Sequence, residues 1–120
     1  MFVHAGGTIP FLASRFEIVD EMNVIPGAEE RGAFRDVLPR LHWDTASAFS
    51  DPVLHMLRSV TGLENVVFGT DYPYPRDAIS IGGLRHLQET AELDDGERRD
   101  VLGESAARLI PRLGQVESAL

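Results

Sequence analysis

Val67-Phe68-Gly69-Thr70-Asp71-Tyr72-Pro73, followed by Tyr74-Pro75, decides how this chain is read. Asn65-Val66-Val67-Phe68 is a short, nearly unbroken apolar run, the pattern of a strand buried in a parallel sheet. Regular structure then stops abruptly, because Pro73 biases Tyr72 towards extended conformations and no helix can begin there at once. Asp71 is thereby placed at the C-terminal tip of a strand, where barrel enzymes carry their catalytic groups.

The same arrangement recurs upstream. Phe2-Val3-His4-Ala5 reads as a short strand running straight into Gly6-Gly7, and glycine lets the backbone turn sharply and a ligand approach. Leu41-His42-Trp43-Asp44-Thr45 is a second strand candidate. Helices fill the intervals. One follows Pro10, with Phe11, Leu12, Phe16, Val19 and Met22 at helical spacing. Residues 26–35 read as a polar connection, entering a short helix to Leu38. Ser50-Asp51-Pro52 is a helix start with Ser50 as the capping side chain. Val53, Leu54, Leu57 and Val60 then share one face, and Gly62 ends the helix. Gly82 to Leu93 is expected to be helical. Asp94-Asp95-Gly96-Glu97 has the form of a capping box. It opens a last helix through Val101, Leu102 and Leu109 that stops near Pro111.

The order is β-α-β-α-β-α, with strand starts near residues 1, 40 and 65. That is an α/β chain with a parallel sheet, at the spacing of barrel units. Three such units are too few to close a barrel. At 120 residues the chain is one domain, and nothing in it divides two cores.

The net charge of −8 argues against a nucleic-acid partner, which needs basic patches. All eleven basic residues are arginine, which excludes lysine chemistry such as a Schiff base or a P-loop. Without cysteine there is neither a disulfide nor a thiolate metal site. No apolar run is long enough to span a membrane, and the start has no secretory pattern, so the expected location is cytoplasmic.

Taken singly, a histidine at a strand end is more often structural than catalytic, and an aspartate before Tyr-Pro is usually a turn former. His-Ala-Gly-Gly-Thr-Ile-Pro-Phe at 4–11, Trp-Asp-Thr-Ala at 43–46 and Val-Phe-Gly-Thr-Asp-Tyr-Pro at 67–73 add information as a set. Together they resemble the amidohydrolase-related family that includes the aminocarboxymuconate and salicylate-type decarboxylases. Leu102 to Leu109 resembles the same family's final helix, although an Asn-Ala pair is common there where this chain has Ser105-Ala106.

The resemblance implies a (β/α)8 TIM barrel of the metal-dependent hydrolase type with one divalent metal, commonly zinc. Residues 1–120 would form an incomplete barrel: strands six to eight and the terminal helices. Asp71 matches the last-strand aspartate that ligates the metal or takes a proton from its bound water. His4 matches the sixth-strand histidine that polarises the substrate or orients that water. Arg15 sits where decarboxylases carry an arginine for the substrate carboxylate, sometimes across a dimer interface, though an exposed helix arginine fits equally well. Trp43, Tyr72 and Tyr74 are candidates to line a pocket for an aromatic substrate, while Phe11, Phe16, Trp43 and Phe68 also read simply as core. Asp44 is either a support of the metal site or bonded to its own loop. His42 faces the same side as Asp44 and is a lesser ligand candidate, and His55 and His86 are expected to be solvated.

The family's other ligands, a His-x-His pair and a further histidine, have no counterpart here. One aspartate and one histidine cannot enclose zinc, which normally has three protein ligands in a catalytic site. The reading is therefore a hydrolase or decarboxylase of a small carboxylic acid, an aromatic one among the candidates, present as its C-terminal part and inactive alone. Its partners are the small-molecule substrate and either a second copy or a chain supplying the missing strands. Two other readings stay open: a non-catalytic fragment that survives by pairing, and a small α/β binding module with coincidental motifs.

Overall fold

The computed structural model describes residues 1–27 and 32–113. The helices are α1 (Ile9–Met22), α2 (Phe34–Val37), α3 (Asp51–Val60), α4 (Asp77–Glu89), α5 (Asp95–Arg99) and α6 (Ser105–Leu109). The strands are β1 (Trp43–Asp44) and β2 (Val66–Val67), paired in parallel with Trp43 opposite Val66 and Asp44 opposite Val67. Phe2 adds a parallel bridge on the other side of Trp43. Three segments thus lie side by side in chain order and run the same way, as helix-connected parallel strands do.

The first segment is shorter than the sequence suggests. Phe2 donates its N–H to the His42 carbonyl and accepts from the Asp44 N–H. The chain leaves the sheet at once, because the Gly6 N–H bonds the Val3 carbonyl and the Gly7 N–H bonds that of His4. Residues 4–6 therefore form a tight helical turn, not a strand.

The core lies between the sheet and the helices. Trp43 and Val66 from the strands meet Leu54 and Leu57 of α3, Leu87 of α4 and Val101, all fully buried. Leu54 and Leu57 repeat at the helical interval, so one face of α3 is apolar while His55 and Ser59 face solvent. Phe16 packs on Phe34 at 4.6 Å, joining α1 to α2, and the Asp20 carboxylate accepts the Phe34 N–H at 2.6 Å. Phe11, one of the core candidates, is instead 79% exposed, because α1 turns that face away from the sheet. Part of the polar connection, residues 28–31, lies outside the described residues.

Three local expectations are corrected. Ser50 occupies the N-cap position of α3 without a side-chain cap. Pro52 has no N–H to offer, and the Val53 N–H is taken by the Ser50 carbonyl at 2.9 Å. Helix α4 begins at Asp77 and ends at Glu89, earlier at both ends than expected. Its C-terminus is stopped by Arg98, whose guanidinium donates to the carbonyls of Leu87, Thr90 and Leu93. The last helix is not continuous. The capping box at Asp94 and Glu97 is formed, but a widened turn over Asp100–Glu104 separates α5 from α6. The cause is the sheet: the Phe68 N–H captures the Val101 carbonyl at 2.9 Å, drawing the backbone out of its helical ladder.

Behind Val66, the Ser105 hydroxyl and Arg108 both donate to the Glu64 carbonyl. Ser105 is buried and satisfied, so it performs a polar contact at the position where the resembled family commonly has asparagine. No described helix is long and apolar enough to cross a membrane.

Candidate active-site end of the sheet

All three parallel segments deliver their following loops to one end. His4 comes from the turn after Phe2, Asp44 to Ser47 from the end of β1, and Asp71 from the loop after β2. The loop 44–47 binds the other two. Its Asp44 carboxylate accepts the His4 backbone N–H at 2.7 Å and the Ala46 N–H at 3.0 Å through the same oxygen, Oδ1. The Ala46 carbonyl lies 3.0 Å from His4 Nδ1. A carbonyl can only accept, so Nδ1 carries the proton and Nε2 is the nitrogen left for chemistry. On the far side, the Ser47 hydroxyl donates to Asp71 Oδ2 at 3.1 Å. One residue of chain, Ala46 to Ser47, thus separates the anchor of the imidazole from the anchor of the carboxylate.

Thr45 closes the gap between the strand ends. Its hydroxyl donates to the Gly69 carbonyl at 3.3 Å and accepts the Gly69 N–H at 3.2 Å. Gly69 lies against Asp44 and Ala46, where a Cβ would make only ordinary contact, 3.4 Å from Asp44 Cβ. Beneath His4, Gly6 rests on the Trp43 ring, where a Cβ would come to 2.1 Å.

Backbone strain concentrates here. Five non-glycine residues have left-handed φ among the described residues, and four of them (His4, Ala5, Ser47 and Asp71) are at this end. Each such residue costs about 1–2 kcal/mol relative to the ordinary helical region. Strain of this kind persists only where neighbouring bonds enforce it, and it clusters at functional sites.

The sequence candidates separate into groups. His4 and Asp71 are brought to the same loop, while Tyr72 follows Asp71 in its own loop, bonded to Thr70 and 78% exposed. Arg15 lies exposed on α1. Trp43 does not line an opening: it has no exposed surface and stacks on Phe2 with ring centroids 5.0 Å apart. Its side chain points to the helix layer because it alternates with Asp44, which faces the loops. His42 is half-buried, and its backbone carbonyl holds Phe2. His55 is exposed, as expected, whereas His86 is partly buried and paired. His55 meets Glu92, and His86 Nε2 lies 2.7 Å from Asp51 Oδ1, which also accepts the Thr90 hydroxyl. Those two bonds, Thr90 first, hold the Asp51 carboxyl below its ordinary range.

Two features were not read from the sequence. Asp44 grips the His4 backbone as well as its own loop, and Ser47 is the partner of Asp71. A cavity of about 620 Å³ begins at Ser47 and continues along Phe49, Asp51, Gly83 and His86, beside the His4–Asp71 end. As for a metal, the residues do not complete a site. Among the described residues no three His, Asp or Glu side chains come together, and a catalytic zinc needs three protein ligands.

Comparison with known proteins places the chain in a family. The amidohydrolase family model matches residues 1–112. The 6-methylsalicylic acid decarboxylase of Aspergillus aculeatus is 32% identical over 96% of this chain, which covers 36% of that protein. The crystal structure of 5-carboxyvanillate decarboxylase from Sphingomonas paucimobilis superimposes with a TM-score of 0.69 at 26% identity, over 91% of this chain and 32% of that one. A 5-carboxyvanillate decarboxylase from Novosphingobium aromaticivorans, solved with manganese and a nitrobenzoic acid, gives 0.71 at 14% identity, over 88% of this chain and 31% of that one. The chain spans about a third of the length of these relatives.

Proposed function

We propose that this chain, which belongs to the amidohydrolase family, carries strands six to eight and the terminal helices of a barrel that decarboxylates a small aromatic acid. The observation that supports this most is the loop 44–47, which holds the His4 imidazole through Ala46 and the Asp71 carboxylate through Ser47. Loss of CO2 from an aromatic ring replaces a carboxylate by a proton. The site therefore needs a proton carrier at the ring carbon and a cationic grip on the acid. An imidazole with Nε2 free suits the first task near neutral pH. The exposed Arg15 suits the second, because a guanidinium fork matches a carboxylate. Tyr72 offers an aromatic face beside the ring.

Asp71 would supply one carboxylate towards a divalent metal, zinc or manganese, whose chemistry is to polarise oxygen. The remaining ligands would come from outside these residues. Hydrolysis at the same centre is the neighbouring chemistry, and the decarboxylase relatives favour carboxyl loss.

The test is a chimera in which residues 1–112 replace the matching third of the Aspergillus decarboxylase. It should release CO2 from a methylsalicylate, and His4→Ala and Asp71→Ala should each lower kcat by at least about 100-fold. A metal-loaded, active chimera indifferent to both substitutions would sink the proposal. A second reading, an interaction module completed by another chain, is favoured by the exposed Phe11, Ile18 and Met22 on one face of α1. A stable monomer in size-exclusion chromatography would count against it.

A further inference from the structure

We propose that Asp44 is the positioning residue for His4: its buried carboxylate fixes both the backbone and the ring of the histidine, and so selects the nitrogen presented to the substrate. The inference rests on the acid–base role proposed for His4, but its geometry can be read without turnover.

Asp44 is only 6% exposed, and its own N–H is committed to the Phe2 carbonyl. The main chain that carries the carboxylate is thereby fixed in the sheet beside Phe2. Its Oδ1 receives two backbone donors from different segments, His4 N–H at 2.7 Å and Ala46 N–H at 3.0 Å. The Ala46 carbonyl, on the residue so held, returns to His4 Nδ1 at 3.0 Å. The three bonds make a closed circuit: the carboxylate holds His4 and Ala46, and Ala46 holds the imidazole. Because the circuit ends on a carbonyl, the neutral imidazole completes it only as the Nδ1–H tautomer, in which Nε2 keeps its lone pair. The two left-handed residues His4 and Ala5 are held in the same turn. A carboxylate serving only its own loop would bond Ala46 and leave His4 alone. The contact spans forty residues of chain and acts on the backbone of the histidine itself.

Asp44 does not touch the imidazole. It acts through Ala46 and through the His4 main chain. Partners of this kind typically change activity or ligand affinity by 10- to 100-fold when removed.

Nitrogen-15 long-range correlation spectra of the 120-residue chain, taken near pH 8 where an ordinary imidazole is neutral, read the tautomer directly. The expected result is His4 protonated at Nδ1, with a through-bond coupling from the His4 amide nitrogen to the Asp44 carboxyl carbon. Asp44→Ala should shift the tautomer ratio towards Nε2–H by about five- to tenfold, the weight of one hydrogen bond. Asp44→Asn, which keeps an acceptor oxygen, should restore it. His4 protonated at Nε2 in the unaltered chain would overturn the proposal, as would an Asp44→Ala chain with an unchanged ratio. Should Asp44→Ala fail to fold, absence of the coupling in the unaltered chain overturns it alone. A correct tautomer beside a chimera indifferent to His4→Ala would instead remove the acid–base role and leave the positioning intact.

Discussion

The loop end of the sheet and the helical framework behind it are built on opposite terms. In the framework, charged side chains satisfy one another or stop a helix. Arg58 donates to both Glu97 oxygens and to the Glu92 carbonyl, while Arg98 closes the end of α4. At the loop end, four non-glycine residues sit in left-handed backbone, and His4 and Tyr72 stand exposed. The framework spends its polar groups on stability; the loop end keeps some in reserve and carries strain. Stability and the proposed chemistry are thus assigned to different regions, and substitutions should reveal the boundary.

The largest effect is expected where the two regions touch. Gly6→Ala puts a Cβ into the Trp43 ring at a φ of +79°, so neither backbone nor core can accept it easily. A loss of about 3 kcal/mol or more is expected, read as a shift of the urea midpoint. A loss below about 1 kcal/mol would mean that the turn is not seated on the core as described.

Acid should act on the framework first. Glu97 is held below its ordinary 4.5 chiefly by the hydrogen bond from Arg58, and Asp94 below 3.8 by the Glu97 backbone N–H. A carboxyl with a lowered folded pKa contributes stability above its unfolded value and loses it as pH falls through the folded one. In that window the unfolded chain binds more protons, so stability declines towards acid. The melting temperature should therefore fall between about pH 5 and pH 3. Glu97→Gln should flatten that fall, whereas an equal slope in the variant would show that the Arg58 contact contributes little.

Removal of the α5 cap is a smaller perturbation. Asp94 accepts the Glu97 N–H at 2.8 Å and Glu97 reaches back to the Asp94 N–H at 3.1 Å. Asp94→Ala should lower the thermal unfolding midpoint by less than Gly6→Ala does. The smallest effect on stability is expected at the loop end itself. Asp71→Asn keeps the shape and tolerates left-handed backbone, so the change should stay within about 0.5 kcal/mol. Calorimetry showing a far larger loss would make Asp71 a structural residue and blur the separation.

Much of the architecture was legible because its signals are local. The apolar run at 66–68, the Pro-bounded loop after Asp71, the Leu54/Leu57 repeat and the Asp94/Glu97 box act over a few residues. Three local readings failed, two of them for one reason. Ser50 looked like a cap, the chain from Asp95 looked like one helix, and Phe2 to Ala5 looked like a strand. In the last two cases a distant segment claimed a backbone group that the local pattern had assigned elsewhere: Val101 by Phe68, and the His4 N–H by Asp44. Trp43 and Phe11 show the same limit, since an aromatic side chain does not announce which layer it will face.

The sequence by itself determined the alternation of segments, the parallel order and the placing of His4 and Asp71 at chain breaks after apolar runs, because periodicity and turn chemistry are written residue by residue. Only the tertiary structure decided which nitrogen of His4 is free, that Asp44 and Ser47 hold the two candidates, and that Trp43 belongs to the core. Those outcomes depend on bonds between residues some twenty to forty positions apart, or on which layer a side chain faces. No local pattern encodes them.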